Sequence, residues 1–238
     1  MNERKEIIRE KFNELASTND YAKSKREEGK DRIITALAQS GGRGTKGREF
    51  VSNEGGVYLT KLSSLENFPA KQAFLIMANA AVAVCETLRY YGVSPVIKWV
   101  NDIYVNDKKI CGILIENVFS GDKISSSVVG IGLNVHNALP EELEEIATTL
   151  EKETGKKFSV EEVTEKLIVE LAKERKMAEY LSFIGYMGER AVLLCGEERL
   201  EVTLLRVDEE GGLWVDMKGE QKRFAAAEVS LRITKEEK

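Results

Sequence analysis

Residues 32–50 read RIITALAQSGGRGTKGREF. The first eight, Arg32–Gln39, are apolar and β-rich, which predicts a buried strand. Residues 40–56 then carry glycines at 41, 42, 44, 47, 55 and 56 and predict a long loop. Loops this long inside a compact domain usually carry function. Gly42, Gly44 and Gly47 spell G-x-G-x-x-G, but a dinucleotide fingerprint needs a helix to open directly after the glycines, and residues 49–56 stay loop-like. A P-loop needs Lys and then Ser or Thr after its last glycine, whereas Gly47 is followed by Arg48 and Glu49. Neither nucleotide fold fits. What remains is a pliable backbone bearing Arg43, Lys46 and Arg48 within six residues, suited to forking onto phosphate or carboxylate oxygens. A solvated basic loop fits the same residues.

Outward from this stretch the pattern is mixed. Residues 18–20 (Thr-Asn-Asp) predict a helix start leading into 21–28. Residues 57–63 alternate as a strand, and 70–91 form an alanine-rich, apolar-faced helix closed by Gly92. Strands are expected at 96–99, 103–105, 110–116 and 123–135, the second and third joined by the turn Asn106-Asp107. Helices are expected at 141–154 and 160–181, the latter opened by a capping box of Ser159 and Glu162. From about Tyr186 the texture changes to short β-rich runs at 191–195, 200–207, 213–217 and 229–233, broken by glycine turns, as in a small antiparallel barrel of the SH3 kind. The expectation is an α+β domain over 1–185 and a small all-β domain over 186–238.

Composition narrows the function. The 238 residues allow one sizeable domain with a small appendage, and 42% hydrophobic residues suffice for a proper core. A net charge of -5 disfavours non-specific binding to nucleic acid or to a membrane surface. Cys85, Cys111 and Cys195 sit among apolar residues and read as small core hydrophobes in a reducing cytosol. The charged start, MNERKEIIRE, does not read as a signal peptide, and no apolar run reads as long enough to span a bilayer. With His136 as the single histidine, a Ser-His-Asp device or a His-rich metal site is not expected.

Three further segments carry candidate chemistry. In Lys98-Trp99-Val100-Asn101-Asp102 the last two residues turn the chain between strands or face a ligand. Lys109 precedes a buried strand, where an ammonium beside an apolar wall can act electrostatically, and Gly112 in that strand marks a close approach. Residues 130–135 (GIGLNV) place glycines in a β-rich run and offer Asn134 as both donor and acceptor. Ser17-Thr18-Asn19 cap a helix, whose free N–H groups can also serve a ligand.

Together, STN at 17–19, QSGGRGTKGR at 39–48, KWVND at 98–102, KKICGILIE at 108–116, GIGLNV at 130–135 and EVSLR at 228–232 resemble the biotin protein ligases, over nearly the whole chain. The type resembled lacks the N-terminal DNA-binding domain of the repressor members. The resemblance implies a mixed sheet flanked by helices, the class II synthetase-like biotin–lipoate ligase fold, with a C-terminal SH3-like β-barrel. It implies an ATP-dependent, AMP-forming ligase, biotin–[acetyl-CoA-carboxylase] ligase, that makes biotinyl-5′-AMP and passes biotin to one lysine of biotin carboxyl carrier protein. ATP and biotin would be substrates, with Mg²⁺ as cofactor. A cytoplasmic homodimer, without DNA or membrane partners, would be the working form.

The resemblance also assigns residues. Lys109, Arg43 and Arg48 would be catalytic. Ser17, Thr18, Asn19, Gln39, Gly42, Arg43, Gly44, Thr45, Lys109 and Gly112 would hold biotin. Arg48, Phe50, Lys98, Asn101, Asp102, Lys109 and Asn134 would hold ATP, Phe50 by stacking on adenine where relatives often carry tryptophan, and Asp102 would meet Mg²⁺. Lys46 would help with pyrophosphate. Thr45 stands where relatives have a second arginine, and Val100 replaces the usual proline. Two rivals remain: a lipoate–protein ligase, which shares fold and chemistry, and a non-enzymatic nucleic-acid adaptor using the basic loop.

Overall fold

A computed structural model of the chain describes residues 7–226 and 228–233, the side chain of Lys46 apart. Seven strands form one mixed sheet: β1 (Ile8–Leu15), β2 (Arg32–Gln39), β3 (Gly56–Pro69), β4 (Val96–Lys98), β5 (Asp102–Val105), β6 (Lys108–Ser120) and β7 (Lys123–Asn134), in the spatial order β1-β2-β3-β7-β6-β5-β4. Only β1 and β2 run parallel; every other neighbouring pair is antiparallel. The sequence reading missed β1, because its residues IREKFNEL are largely charged and its burial is partial. Its pairing with β2 is long-range and leaves little local signal. The turn at Asn106 and Asp107 is as expected: both residues take left-handed φ values, 48° and 61°, as a two-residue hairpin requires.

One face of the sheet carries α1 (Thr18–Ser24), the other α2 (Ala73–Tyr90), α4 (Val160–Leu171) and α5 (Met177–Phe183); α3 (Leu150–Thr154) caps the edge near the end of β7. α1 begins as predicted, with the Ser17 hydroxyl accepting from Asp20 N at 3.3 Å. With the short turn before it, α2 spans Ala70–Tyr90, 21 residues that contain an 18-residue window of mean hydropathy 1.3. On length and composition it therefore passes as a membrane span, against the expectation of none. It is buried between sheet and helices, with Ala78, Ala81, Val82, Val84, Cys85 and Leu88 in the core.

Two predicted helices are shorter than expected. The 141–154 segment has a 3-10 turn at Glu141–Leu143 and a further turn over 144–146, after which Ala147 bridges Lys109 of β6, and only α3 follows. Backbone bonds Lys109 N→Ile146 O (2.9 Å) and Thr148 N→Lys109 O (2.9 Å) cost that segment its helix. The 160–181 helix breaks after Leu171, and the break is organised by Glu170, whose carboxylate accepts from Lys166 and Lys173 (both 2.7 Å) and from Arg175. Burial raises the pKa of Glu170, but the three cationic hydrogen bonds outweigh it and hold the group at about 2. Its folded pKa is depressed, so its contribution is present above the unfolded value near 4.5 and is lost as pH falls from there toward 2. Glu170→Gln is expected to lower stability at pH 7 and to flatten the acid limb of stability between pH 4.5 and 2, read by denaturant melts at several pH values.

The C-terminal strands β8 (Arg190–Cys195), β9 (Glu198–Val207), β10 (Leu213–Met217), β11 (Glu220–Phe224) and β12 (Ser230–Ile233) form a second, antiparallel sheet in the order β11-β10-β9-β8-β12. It is SH3-like but open, because β11 and β12 at its edges do not pair. β11 also escaped the sequence reading, being exposed and polar apart from Phe224. Both sheets share one apolar core: Leu193, Leu204, Leu213 and Leu231 belong to the same cluster as Trp99, Ile103 and Leu133. Cys85 and Cys111 are buried as expected, and Cys195 is half-buried.

Candidate active site

The loop after β2, α1, β5, β6 and β7 enclose a cavity of about 240 Å³. At one side lie Ser17, Thr18, Asn19 and Gln39. The Gln39 carboxamide oxygen accepts from Thr18 N (2.8 Å) and lies 3.0 Å from the Thr18 hydroxyl, while its nitrogen donates to Ser52 Oγ at 2.9 Å. Asn19 Oδ1 accepts from Thr60 Oγ1 at 2.7 Å, and Asn19 Nδ2 donates to Glu116 at 3.2 Å. These bonds fix a small polar array with defined donors and acceptors, as recognition of a polar heterocycle requires. Gly130 makes the array possible: a Cβ there would lie 2.1 Å from Asn19 Oδ1.

The middle of the cavity is apolar. The Phe50 ring lies flat against the sheet, where a Cβ on Gly132 would approach it to 2.4 Å and one on Gly112 to 3.2 Å. The alternating glycines of 130–132 thus share one face, clearing it for α1 and for the ring. Leu139, Leu143 and Ile146 form a wall opposite, and Ile146 is 60% exposed although it lines the site.

The other side is charged. Lys109 Nζ pairs with Asp102 Oδ1 at 2.7 Å and stands 5.9 Å from the Phe50 ring centre. Strict alternation would point Lys109 into the core together with Cys111. Pairing of β5 with β6 shifts by one residue between Ile103 and Tyr104, so Ile110 and Cys111 are both fully buried and Lys109 turns to the cavity. Asn101 is fixed by Nδ2→Ile113 O at 2.7 Å. Arg43 and Arg48 line the cavity from the loop. Arg43 is paired with Asp20, and Arg48 donates to Thr45 Oγ1 at 3.0 Å.

Most residues named from the sequence meet here: Ser17, Thr18, Asn19, Gln39, Arg43, Gly44, Thr45, Arg48, Phe50, Asn101, Asp102, Lys109, Gly112 and Asn134 all line the cavity. Asn134 is buried, donating to Thr148 O (3.0 Å) and accepting from Asn137 (3.2 Å), with one N–H and one lone pair left for a ligand. Two residues do not line it. Gly42 is buried against its own loop, where a Cβ would be 2.4 Å from both Phe50 O and Ser52 Oγ. Lys98 lines a smaller cleft of about 70 Å³ beside the cavity, shared with Arg48, Asp102 and Arg232. Burial lowers the Lys98 pKa, and its ammonium lies 3.4 Å from the Tyr104 hydroxyl. Burial raises Tyr104 to about 12, so it stays a neutral donor.

Sequence reasoning did not single out Tyr104, Arg232, Thr60 or Glu116. Arg232 reaches the cavity from β12, more than 100 residues along the chain from Lys109, a proximity no local pattern announces. Among the described residues no cluster of three metal-ligating side chains exists. Among the described residues, Asp102 and Glu49 are the carboxylates lining the cavity, and Asp102 is held by Lys109. So few carboxylates suit a Mg²⁺ ion whose ligands come chiefly from phosphate oxygens.

Residues 12–134 match the model of the biotin/lipoate A/B protein ligase family. The chain belongs to this family. Among its relatives, the bifunctional ligase/repressor BirA of Escherichia coli is 30% identical over 92% of this chain and 72% of its own length. BirA of Bacillus subtilis is 30% identical over 84% of the chain, which spans 66% of that relative's length. In structure, a biotin protein ligase from Aquifex aeolicus in complex with biotin and ATP superposes with a TM-score of 0.76 at 30% identity, covering 97% of this chain and 100% of that one. A Leishmania major biotin protein ligase with biotinyl-5-AMP gives 0.59 at 26% identity, covering 92% and 98%. The mixed sheet with helices and the second, SH3-like sheet are thus the fold of this family.

Proposed function

We propose that the chain is a biotin protein ligase. Biotin's carboxylate oxygen attacks the α-phosphorus of ATP, the bond to the β-phosphate breaks, and pyrophosphate leaves with biotinyl-5′-AMP formed. The amine of a carrier lysine then attacks the acyl carbon, AMP departs, and the amine gives up a proton. The carrying observation is that Lys109, Arg43 and Arg48 line the same cavity as the hydrogen-bonded polar array of Ser17, Thr18, Asn19 and Gln39.

Two anions must meet for the first step, and they repel. In this reading Lys109 bridges carboxylate and α-phosphate and stabilises the charge growing at phosphorus; its place in the cavity lining supports this. Arg43 and Arg48 fork onto the same oxygens. Ser17, Thr18, Asn19 and Gln39 receive the ureido ring, Phe50 meets adenine, and Asn101, Asp102 and Asn134 orient the nucleotide, with Lys98 beside its phosphates. A bound Mg²⁺, held chiefly by phosphate oxygens with Asp102 beside them, would shield the phosphate charge. The ureido-suited array favours biotin over lipoate, whose dithiolane offers no such partners. The division into a catalytic domain, 1–185, and a barrel domain, 186–238, belongs to this reading, as do the cytoplasmic location, the homodimer and the absence of DNA and membrane partners; sedimentation of the free chain tests the dimer.

Incubation with ATP, Mg²⁺, biotin and a biotin carboxyl carrier domain, followed by mass analysis, should show the carrier gaining one biotinyl group. An unmodified carrier, or one equally modified with lipoate, would overturn the reading. Thr45 supplies a hydroxyl to Arg48 where relatives have a cation. Thr45→Arg is accordingly expected to slow release of biotinyl-AMP several-fold; equal rates in a filter-release assay would remove that position from adenylate retention.

A further inference from the structure

The 99–102 turn, which delivers Asn101 and Asp102 to the cavity, is held by a closed ring of contacts that passes through the second sheet. Trp99, 5% exposed, donates from Nε1 to Gly211 O at 2.9 Å. Gly211 sits in the turn between β9 and β10 with φ +82°, and a Cβ there would lie 2.3 Å from the Phe74 ring, so its backbone rests directly on that ring. Phe74 meets Tyr180 edge-on at 5.2 Å, and the Tyr180 hydroxyl donates to Val100 O at 3.0 Å. Two consecutive residues, Trp99 and Val100, are thus gripped from opposite ends of one ring.

The Gly211 turn is itself heavily braced. The Asp208 carboxylate accepts from Gly212 N (2.8 Å), Glu210 N (3.0 Å), Trp214 Nε1 (2.9 Å) and Arg223 Nε (2.6 Å). Two backbone bonds, Gly211 N→Asp208 O and Asp208 N→Gly212 O, both 2.9 Å, close it. Beyond the grip, Asn101 O accepts from Ile113 N at 3.0 Å, and Asp102 holds Lys109.

We propose that Asp208 and Trp99 are positioning residues: the 208–212 turn clamps Trp99 and so fixes where the Asp102–Lys109 pair stands against the reacting oxygens. The second sheet then acts on the chemical step through its turn. Neither Asp208 nor Trp99 lines the main cavity. A displacement of about 1 Å at a reacting group can cost up to a hundred-fold in rate. The proposal rests on the adenylate-forming reading above.

Trp99→Phe keeps a buried aromatic ring but removes the Nε1 donor together with the second ring of the indole, so the melting temperature reads the packing loss separately; Asp208→Asn releases the turn from a distance and leaves Trp99 whole. For the parent and each variant, turnover of biotinyl-AMP formation, biotin Kd and melting temperature are measured. Both variants should lose about ten-fold in turnover while biotin Kd, set by α1 and Gln39, stays within about two-fold. Unchanged turnover, or turnover and biotin affinity falling together as the fold loosens, would overturn the clamp; if Asp208→Asn does not fold, Trp99→Phe decides alone. An inactive parent contradicts the ligase reading, whereas an active parent with unaffected variants contradicts only the clamp.

Discussion

Lys109→Ala is expected to slow biotinyl-AMP formation by about a thousand-fold while biotin still binds within a few-fold of the parent affinity. Removing one preorganised donor from a developing oxyanion costs about 2.7–4 kcal/mol of transition-state stabilisation. Here the donor is a full cation opposite two anions, so the upper end applies. Only the transition state brings both anions onto the ammonium. The loss should therefore fall on turnover rather than on ground-state binding. The substitution also leaves Asp102 without its partner at 2.7 Å, but the pair is partly solvated and the fold should survive. Single-turnover kinetics with a parallel melt separates the two effects. Near-parent turnover would remove Lys109 from the chemistry.

The second large effect is expected at Gly130. Gly130→Ala places a methyl 2.1 Å from Asn19 Oδ1 and 2.8 Å from its Cγ and Nδ2. Asn19 is 6% exposed and tied to Thr60 and Glu116, so it cannot swing aside without breaking both bonds. Forcing extra atoms into a packed site costs about 1–3 kcal/mol. The array that receives biotin should be displaced with α1. Calorimetry should show biotin affinity down by ten-fold or more, alongside a lower melting temperature. Parent-like affinity would mean that the polar array is not where biotin sits.

Local features were legible from sequence wherever the chemistry is local. The glycines of 40–56, the Asn106-Asp107 turn, the Ser17 cap and the glycines of 130–132 each speak through a backbone requirement. Their convergence on one cavity was readable only as a resemblance of motifs. Three features resisted for physical reasons. β1 is a charged edge strand whose parallel pairing with β2 leaves no hairpin signature. Residues 141–154 read as one helix, but the segment turns at 141–146 and bridges Lys109 through Ala147 before a short helix at Leu150–Thr154, a tertiary override of propensity. Lys109 faces the cavity only because a one-residue shift in β6 sends Ile110 and Cys111 inward together, which no alternation rule foresees. Arg232 and the Gly211–Trp99 bond join segments more than 100 residues apart and have no local trace.

The central claim is that cations from a glycine-rich loop and a neighbouring strand bring a carboxylate and a phosphate together inside one cavity. Exchange of labelled pyrophosphate into ATP reads that step without a carrier protein. Exchange should require biotin, and it should vanish with biotin amide, which keeps the ureido ring and lacks the carboxylate. Exchange without biotin, or undiminished with the amide, would contradict the account.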